Sequence, residues 1–201
     1  MSYIEHLQKD KKLAKIIGDE LHELKLRQNI PLRLMASIMS QQLNTKVASV
    51  IFHRFLKLYN SKEPKPQQVL DSSFEELRAI GLSNAKVGYV KNVAAFCIEN
   101  KINDKMLLKM QNEEIIELLT QIKGVGRWTV EMLLMFSLGR EDVFAVDDLG
   151  IRQAMIKIYK LNEADKKILK EKMLKISAKW IPFRTYACLH LWGWKDNSPG
   201  N

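Results

Sequence analysis

LLTQIKGVGRWTVEMLLMF, residues 118–136, sets two amphipathic segments on either side of Ile122-Lys123-Gly124-Val125-Gly126. Two glycines two positions apart permit a tight turn and let another backbone approach closely. The turn opens directly onto a helix start near residue 127. Its unpaired N–H groups and partial positive charge make an anion site. Val125 can pack inward and hold the turn, while Arg127 and Thr129 add a cation and a hydroxyl beside it. Gly124, Gly126, Arg127 and Thr129 thus read as a sequence-independent phosphate clamp. A bare Gly-x-Gly between packed helices also reads as an ordinary turn, so the surrounding residues must separate the two.

Working outward, nearly every segment has helical periodicity. Leu13, Ile16, Ile17, Leu21 and Leu24 form an amphipathic stripe. Residues 31–44 and 45–59 form two more apolar runs, and the polar loop SKEPKPQ at 61–67 ends at a helix start. Ser73 with Glu76 is a capping box, and Gly81 is a stop. Further helices are expected over about 84–99, 104–110, 112–121, 127–138, 148–159, 163–179 and 183–194, with a frayed tail DNSPGN. Strict alternation and hairpin dipeptides are missing. The expected fold class is all-α, with nine or ten short helices.

The 201 residues carry 32 Lys and Arg against 23 Asp and Glu, a formal charge of +9. That balance favours a polyanionic partner, although a solvated lysine-rich surface would produce it too. With 46% hydrophobic and 27% charged residues, wholesale disorder is excluded. A chain of this length buries roughly 70% of its unfolded surface and needs no metal or disulfide to fold. Two cysteines, Cys97 and Cys188, are too few for a four-cysteine zinc or iron–sulfur site. His6, His22, His53 and His190 share no metal-ligand spacing, and His190 is expected to be a hydrogen-bonded helix residue. The charged N-terminus is not a secretory signal, and the longest apolar stretch, Met132 to Leu138, is far below a membrane span of about 18–20 residues. A cytoplasmic or nuclear protein with no membrane contact is expected.

The hairpin resembles the helix-hairpin-helix element of the DNA glycosylase superfamily. The likeness extends upstream to ASIMSQQLNTKVASVIFHRF at 36–55 and downstream through SLGREDVFAVDDLGIRQAM at 137–155 to PFRTYACLHLWGW at 182–194. Three blocks in the right order, covering about residues 10 to 195, look like the 3-methyladenine DNA glycosylase II branch. Two departures stand in loops: Lys123 where the family often has proline before the first glycine, and Ala145 where proline often precedes the Val-Asp-Asp. Neither removes a functional group, so altered loop stiffness is expected, not altered chemistry.

Cleaving an N-glycosidic bond builds positive charge on the sugar, which a carboxylate near C1′ can stabilise. Asp147-Asp148 opens a helix, where either carboxylate can serve as a cap. The resemblance assigns the catalytic role to Asp148, leaving Asp147 as the expected structural cap. Bifunctional members carry a nucleophilic lysine two residues after the second glycine; Trp128 stands there, and an indole cannot form a Schiff base. The resemblance therefore implies a monofunctional glycosylase without lyase activity.

It also implies a base pocket formed by Trp128, Met132, Trp192 and Gln41, with Gln42 as the wedge that fills the gap left by a flipped base. Trp192 could instead pack in the core with Tyr186, Leu189 and Trp194, and two glutamines could be a solvated helix start. Relatives bind a monovalent cation through hairpin carbonyls, for which Ile122 and Val125 are candidates for Na+ or K+; no other cofactor is expected.

The expected architecture is two-lobed, with one lobe over about 32–141 and the other combining 1–31 with 142–201, and Asp148 in a cleft between them. The expected function is hydrolytic excision of 3-methyladenine- and 7-methylguanine-type purines from damaged duplex DNA by a monomer. The same fold acting on 8-oxoguanine, uracil or hypoxanthine, or a non-catalytic damage-recognition module, are the alternatives.

Overall fold

The computed structural model of the protein describes residues 2–18, 21–162 and 164–197. Its helices are α1 (Tyr3–Leu7), α2 (Ile30–Ser40), α3 (Thr45–Lys57), α4 (Pro66–Asp71), α5 (Phe74–Ala79), α6 (Asn84–Glu99), α7 (Asp104–Lys109), α8 (Asn112–Leu119), α9 (Arg127–Phe136), α10 (Leu149–Tyr159), α11 (Lys166–Ser177) and α12 (Arg184–Asn197). Short 3-10 turns occupy Leu13–Lys15 and Ala178–Trp180. No strand occurs among the described residues, as the all-α expectation requires. Also among them, no helix is long and apolar enough to cross a membrane.

Side-chain caps set many of the starts. Asn29, Asn44, Ser73, Ser83, Asn103, Asp148 and Asp165 each present an oxygen to an amide in the following first turn, a contribution of about 1 kcal/mol apiece. Capping also explains why the described residues hold twelve α-helices, more than the nine or ten expected. Pieces as short as α1, closed by the Ser2–Glu5 capping box, stand as separate helices.

The stripe from Leu13 to Leu24 does not form the expected helix. Beyond the 3-10 turn the chain has no regular structure at Ile17 and Gly18, nor from Leu21 to Arg27; Asp19 and Glu20 lie outside the described residues. Leu13 is buried, but Leu21 is 74% exposed. Gly18 interrupts the stripe, and glycine in a helix costs about 1 kcal/mol relative to alanine. At the other end α12 runs through Asn197, so the expected fraying does not begin at Asp196; residues 198–201 lie outside the described set.

The chain divides into two units, Leu26–Leu138 and the combination of Met1–Lys25 with Gly139–Asn201. In the first, α2 packs against α3, α6 and α9. Ile30, Leu32, Leu34, Met35, Ile38 and Met39 are all buried, so α2 is apolar around much of its circumference. Asp104 from α7 accepts the backbone N–H groups of Asn29 (2.7 Å) and Ile30 (2.8 Å), satisfying amides that open the helix.

In the second unit α10 packs on α12. Trp180 is fully buried, and its indole donates to Asp10 (3.2 Å), which also accepts the Tyr159 hydroxyl (2.8 Å). The segment that leads into α10 is tied to α12. Arg184 pairs with Asp142 through two bonds (2.6 and 2.9 Å), the Thr185 hydroxyl donates to the Arg140 carbonyl (2.6 Å) and accepts the Val143 amide (3.0 Å), and Tyr186 donates to Glu141 (2.8 Å). These bonds fix the approach to Asp148.

Candidate active site

The hairpin turn lies between α8 and α9. Ile122 and Val125 are buried and the Val125 amide donates to the Ile122 carbonyl (2.9 Å), so Val125 packs inward. Gly124 has φ +102°, and a β-carbon there would lie 2.2 Å from Cγ of Tyr89. Asn92, one turn further along α6, donates to the Lys123 carbonyl (3.2 Å). Gly126 differs: its φ is −96°, it precedes the first turn of α9, and a β-carbon there would meet nothing within 4 Å. Gly124 thus serves the packing of the turn, while Gly126 leaves open space at a helix N-terminus.

Two members of the expected phosphate clamp are otherwise engaged. Arg127 donates to both carboxylate oxygens of Glu113 (3.1 and 2.8 Å) and to Glu131 (3.0 Å). The bonds it donates to Glu113 lead in holding its guanidinium more firmly protonated. Its charge is neutralised locally, so it is a structural tie between α8 and α9. Thr129 is 3% exposed and accepts a hydrogen bond from Gln41 Nε2 (3.3 Å), so it packs inside the unit. What remains for an anion is the backbone at Gly126.

Gln41 and Gln42 sit in the turn between α2 and α3. Gln42 is exposed with φ +58°, a left-handed conformation that side chains seldom adopt. Lys86 from α6 holds this turn, donating to the carbonyls of Met39 (3.0 Å) and Gln41 (2.7 Å) at the end of α2. Burial lowers the affinity of its amine for the proton. Along α9, Trp128, Met132 and Phe136 succeed one another at four-residue spacing, which places them on one face. Trp128 is 40% exposed and Met132 half-buried.

In the other unit, Asp148 is half-buried and is itself the N-cap of α10. Its Oδ1 accepts the Ile151 amide (2.9 Å) and the Trp192 indole Nε1–H (2.9 Å). The expected division of the aspartate pair is therefore wrong in one respect: Asp147 does not cap the helix. Its exposed carboxylate pairs with Lys170 (2.8 and 2.7 Å), an exposed contact worth at most about 1 kcal/mol. Trp192, which the sequence left between pocket and core, is half-buried and bonded to Asp148.

Residues 35–179 match the family described as HhH-GPD superfamily base excision DNA repair protein. The chain belongs to that superfamily. It is 40% identical over 185 residues to DNA-3-methyladenine glycosylase 1 of Schizosaccharomyces pombe, covering 90% of this chain and 80% of that protein. A putative DNA-3-methyladenine glycosylase of Bacillus subtilis is 32% identical, covering 79% of this chain and 56% of its own length. The fold matches the solved structure of the Schizosaccharomyces pombe 3-methyladenine DNA glycosylase in complex with abasic DNA, with a TM-score of 0.84, 36% identity and 98% of both chains covered.

Within this HhH-GPD chain, several residues escaped sequence reasoning. Tyr89, Asn92 and Lys86 lie on α6, far in sequence from the turns they hold, and no local pattern marks them. Phe136 follows Trp128 and Met132 at the same four-residue spacing, a signal the sequence does carry. Around Asp147, the cations Arg152, Lys166, Lys167 and Lys170 line a concavity of about 340 Å³. Lys166 and Lys167 open α11, where cations run against the helix dipole, so their placement does not serve helix stability. His190 also departs from expectation. It is buried in α12, and its Nε2 has no hydrogen-bond partner. Burial first, and His22 second, push its pKa down to about 4.

Proposed function

We propose that this protein is a monofunctional DNA glycosylase that hydrolyses the N-glycosidic bond of alkylated purines, of the 3-methyladenine and 7-methylguanine type, in duplex DNA. The observation that carries the reading is the carboxylate of Asp148, held at the start of α10 by an indole on α12. As the C1′–N bond breaks, its electron pair leaves with the base and positive charge grows on the sugar. A fixed carboxylate stabilises that charge without reorganising. Water then bonds to C1′ and releases a proton to solvent. A cationic alkylpurine leaves without prior protonation, so little acid catalysis is required. Trp128 offers no amine for a Schiff base, so the strand stays intact.

The remaining roles follow from local chemistry. In one unit Trp128 and Met132, and in the other Trp192, each offer surface of the kind that stacks on an electron-poor base. Gln42, exposed on its strained turn, is the wedge, and Gln41 edges the pocket. Backbone N–H groups at Gly126 meet a phosphate. A Na+ or K+ ion would be held by the carbonyl oxygens of Ile122 and Val125, and would add positive charge beside that phosphate. The Ile122 carbonyl already accepts one bond, from Val125, and has a second lone pair for a cation. The reaction itself consumes only water. The protein would act as a monomer wherever the genome lies, in the cytoplasm or the nucleus. Its affinity for duplex DNA should fall with salt by roughly 0.9 log units per log unit for each phosphate neutralised.

The test is base release from a methylated duplex. Free methylated purine should appear while strands stay whole until alkali is added. Tight binding of the methylated duplex without release would overturn the reading in favour of a recognition module or another lesion.

A further inference from the structure

We infer that Gly150 is a positioning residue for base excision: the missing side chain at the second residue of α10 lets the Trp192 indole lie against that helix and hold Asp148. The inference rests on Asp148 being the reactive carboxylate. A β-carbon on Gly150 would stand 3.0 Å from Cδ1 and 3.2 Å from Nε1 of Trp192, and 3.2 Å from Oδ1 of Asp148. Ordinary contacts of a β-carbon lie at 3.4–4 Å. By contrast, β-carbons on Gly88, Gly126 and Gly193 would meet nothing within 4 Å. Gly150 lies within a helix, and glycine weakens a helix relative to alanine. Its helical backbone is open to other residues, so the space above it is what a side chain would take away.

That space determines how Asp148 is held. Two donors meet on its Oδ1: the Ile151 amide from its own helix and the Trp192 indole from α12, both at 2.9 Å. The first bond is local and survives movement of α12. The second exists only while the indole plane reaches over Gly150. A methyl group there displaces the ring by a few tenths of an ångström, lengthens the indole bond and presses on Oδ1 itself. The carboxylate then keeps its cap bond to Ile151 but loses the alignment the indole gives it. A group that must stabilise charge at one carbon loses rate from such a shift without any loss of fold.

Four proteins test this: wild type, Gly150→Ala, Trp192→Phe and the double variant. Four measurements are made on each: thermal unfolding, affinity for duplex DNA, single-turnover base release, and the NMR resonance of indole Nε1–H where Trp192 is present. Gly150→Ala should unfold no earlier than wild type and bind DNA equally well. It should release base about tenfold more slowly, the rate equivalent of one weakened charge-assisted bond, and its Trp192 resonance should move. In the double variant, alanine should add much less slowing than it does alone, because the ring it displaces has already lost its donor and only the contact with Oδ1 remains. Release from Gly150→Ala at the wild-type rate, or the same tenfold slowing on the phenylalanine background, would overturn the inference. Wild-type release by Asp148→Asn would instead overturn the reading of Asp148 itself; the shifted indole resonance would still report the contact.

Discussion

The two hairpin glycines, two positions apart, should respond in opposite ways to the same substitution. Alanine at Gly124 must adopt φ +102°, and its β-carbon would lie 2.2, 2.5 and 2.7 Å from Cγ, Cδ1 and Cβ of Tyr89. The backbone cost of a left-handed alanine is about 1–2 kcal/mol, and forcing a methyl into a packed site costs about 1–3 kcal/mol more. Gly124→Ala should thus lose roughly 2–5 kcal/mol of stability. Shortening Tyr89 to alanine in that background should relieve the steric conflict while leaving the backbone cost. At Gly126, φ is −96° and the β-carbon meets open space. There the weaker capping of alanine, up to about 1 kcal/mol, is offset by the reduced freedom of its unfolded chain, about 0.4–1 kcal/mol. Gly126→Ala should keep wild-type stability within about 0.5 kcal/mol, yet bind duplex DNA at least about tenfold more weakly, since its methyl stands where a phosphate must approach. Urea denaturation and fluorescence anisotropy on a labelled duplex separate the effects. Wild-type DNA affinity in Gly126→Ala would refute the phosphate role, and wild-type stability in Gly124→Ala would refute the packing role.

Three further expectations follow from groups that the fold partly or wholly desolvates. Lys86→Met keeps the aliphatic stem but leaves the carbonyls of Met39 and Gln41 without their ammonium donor; stability in urea should drop by about 1–3 kcal/mol, and base release should slow as the Gln42 turn loosens. Acid stability should depend on His190, whose pKa falls from 6.5 to about 4 on folding. The unfolded chain binds this proton more readily, so the contribution is full above pH 6.5 and is lost as pH falls towards 4, by roughly 3 kcal/mol in total. Urea midpoints of His190→Leu should vary less across that window than those of wild type; an unchanged slope would count against the assignment. At lower pH Asp10 takes over. Burial works against its charge, but bonds led by Tyr159 and Trp180 hold its pKa below 3.8, so that contribution disappears only as pH drops through the lowered value.

Much of the helical order was legible because caps and glycine stops are local signals. Ser73 with Glu76, and the α6 run bounded by Ser83, begin and end near where the sequence places them. The stripe from Leu13 to Leu24 misled because periodicity alone does not make a helix across Gly18. Residue types at the candidate site were legible too, but their partners were not. Nothing near Arg127 in the sequence says that Glu113, fourteen positions earlier, would neutralise it. That Asp148, and not Asp147, would cap α10 depends on a rotamer, and its bond to Trp192 spans 44 positions. Such pairings are set by tertiary packing, which a single sequence does not encode in any local pattern.

Asp148→Asn is a clean probe because asparagine caps a helix about as well as aspartate, and its side-chain oxygen can still accept from Ile151 and Trp192. The charge is removed, and one acceptor oxygen becomes an NH2 donor. Single-turnover release of methylated purine should therefore fall by about 10²-fold or more, while duplex affinity and the unfolding midpoint stay at wild-type values. Release at the wild-type rate by Asp148→Asn would contradict the claim that this carboxylate stabilises the departing sugar.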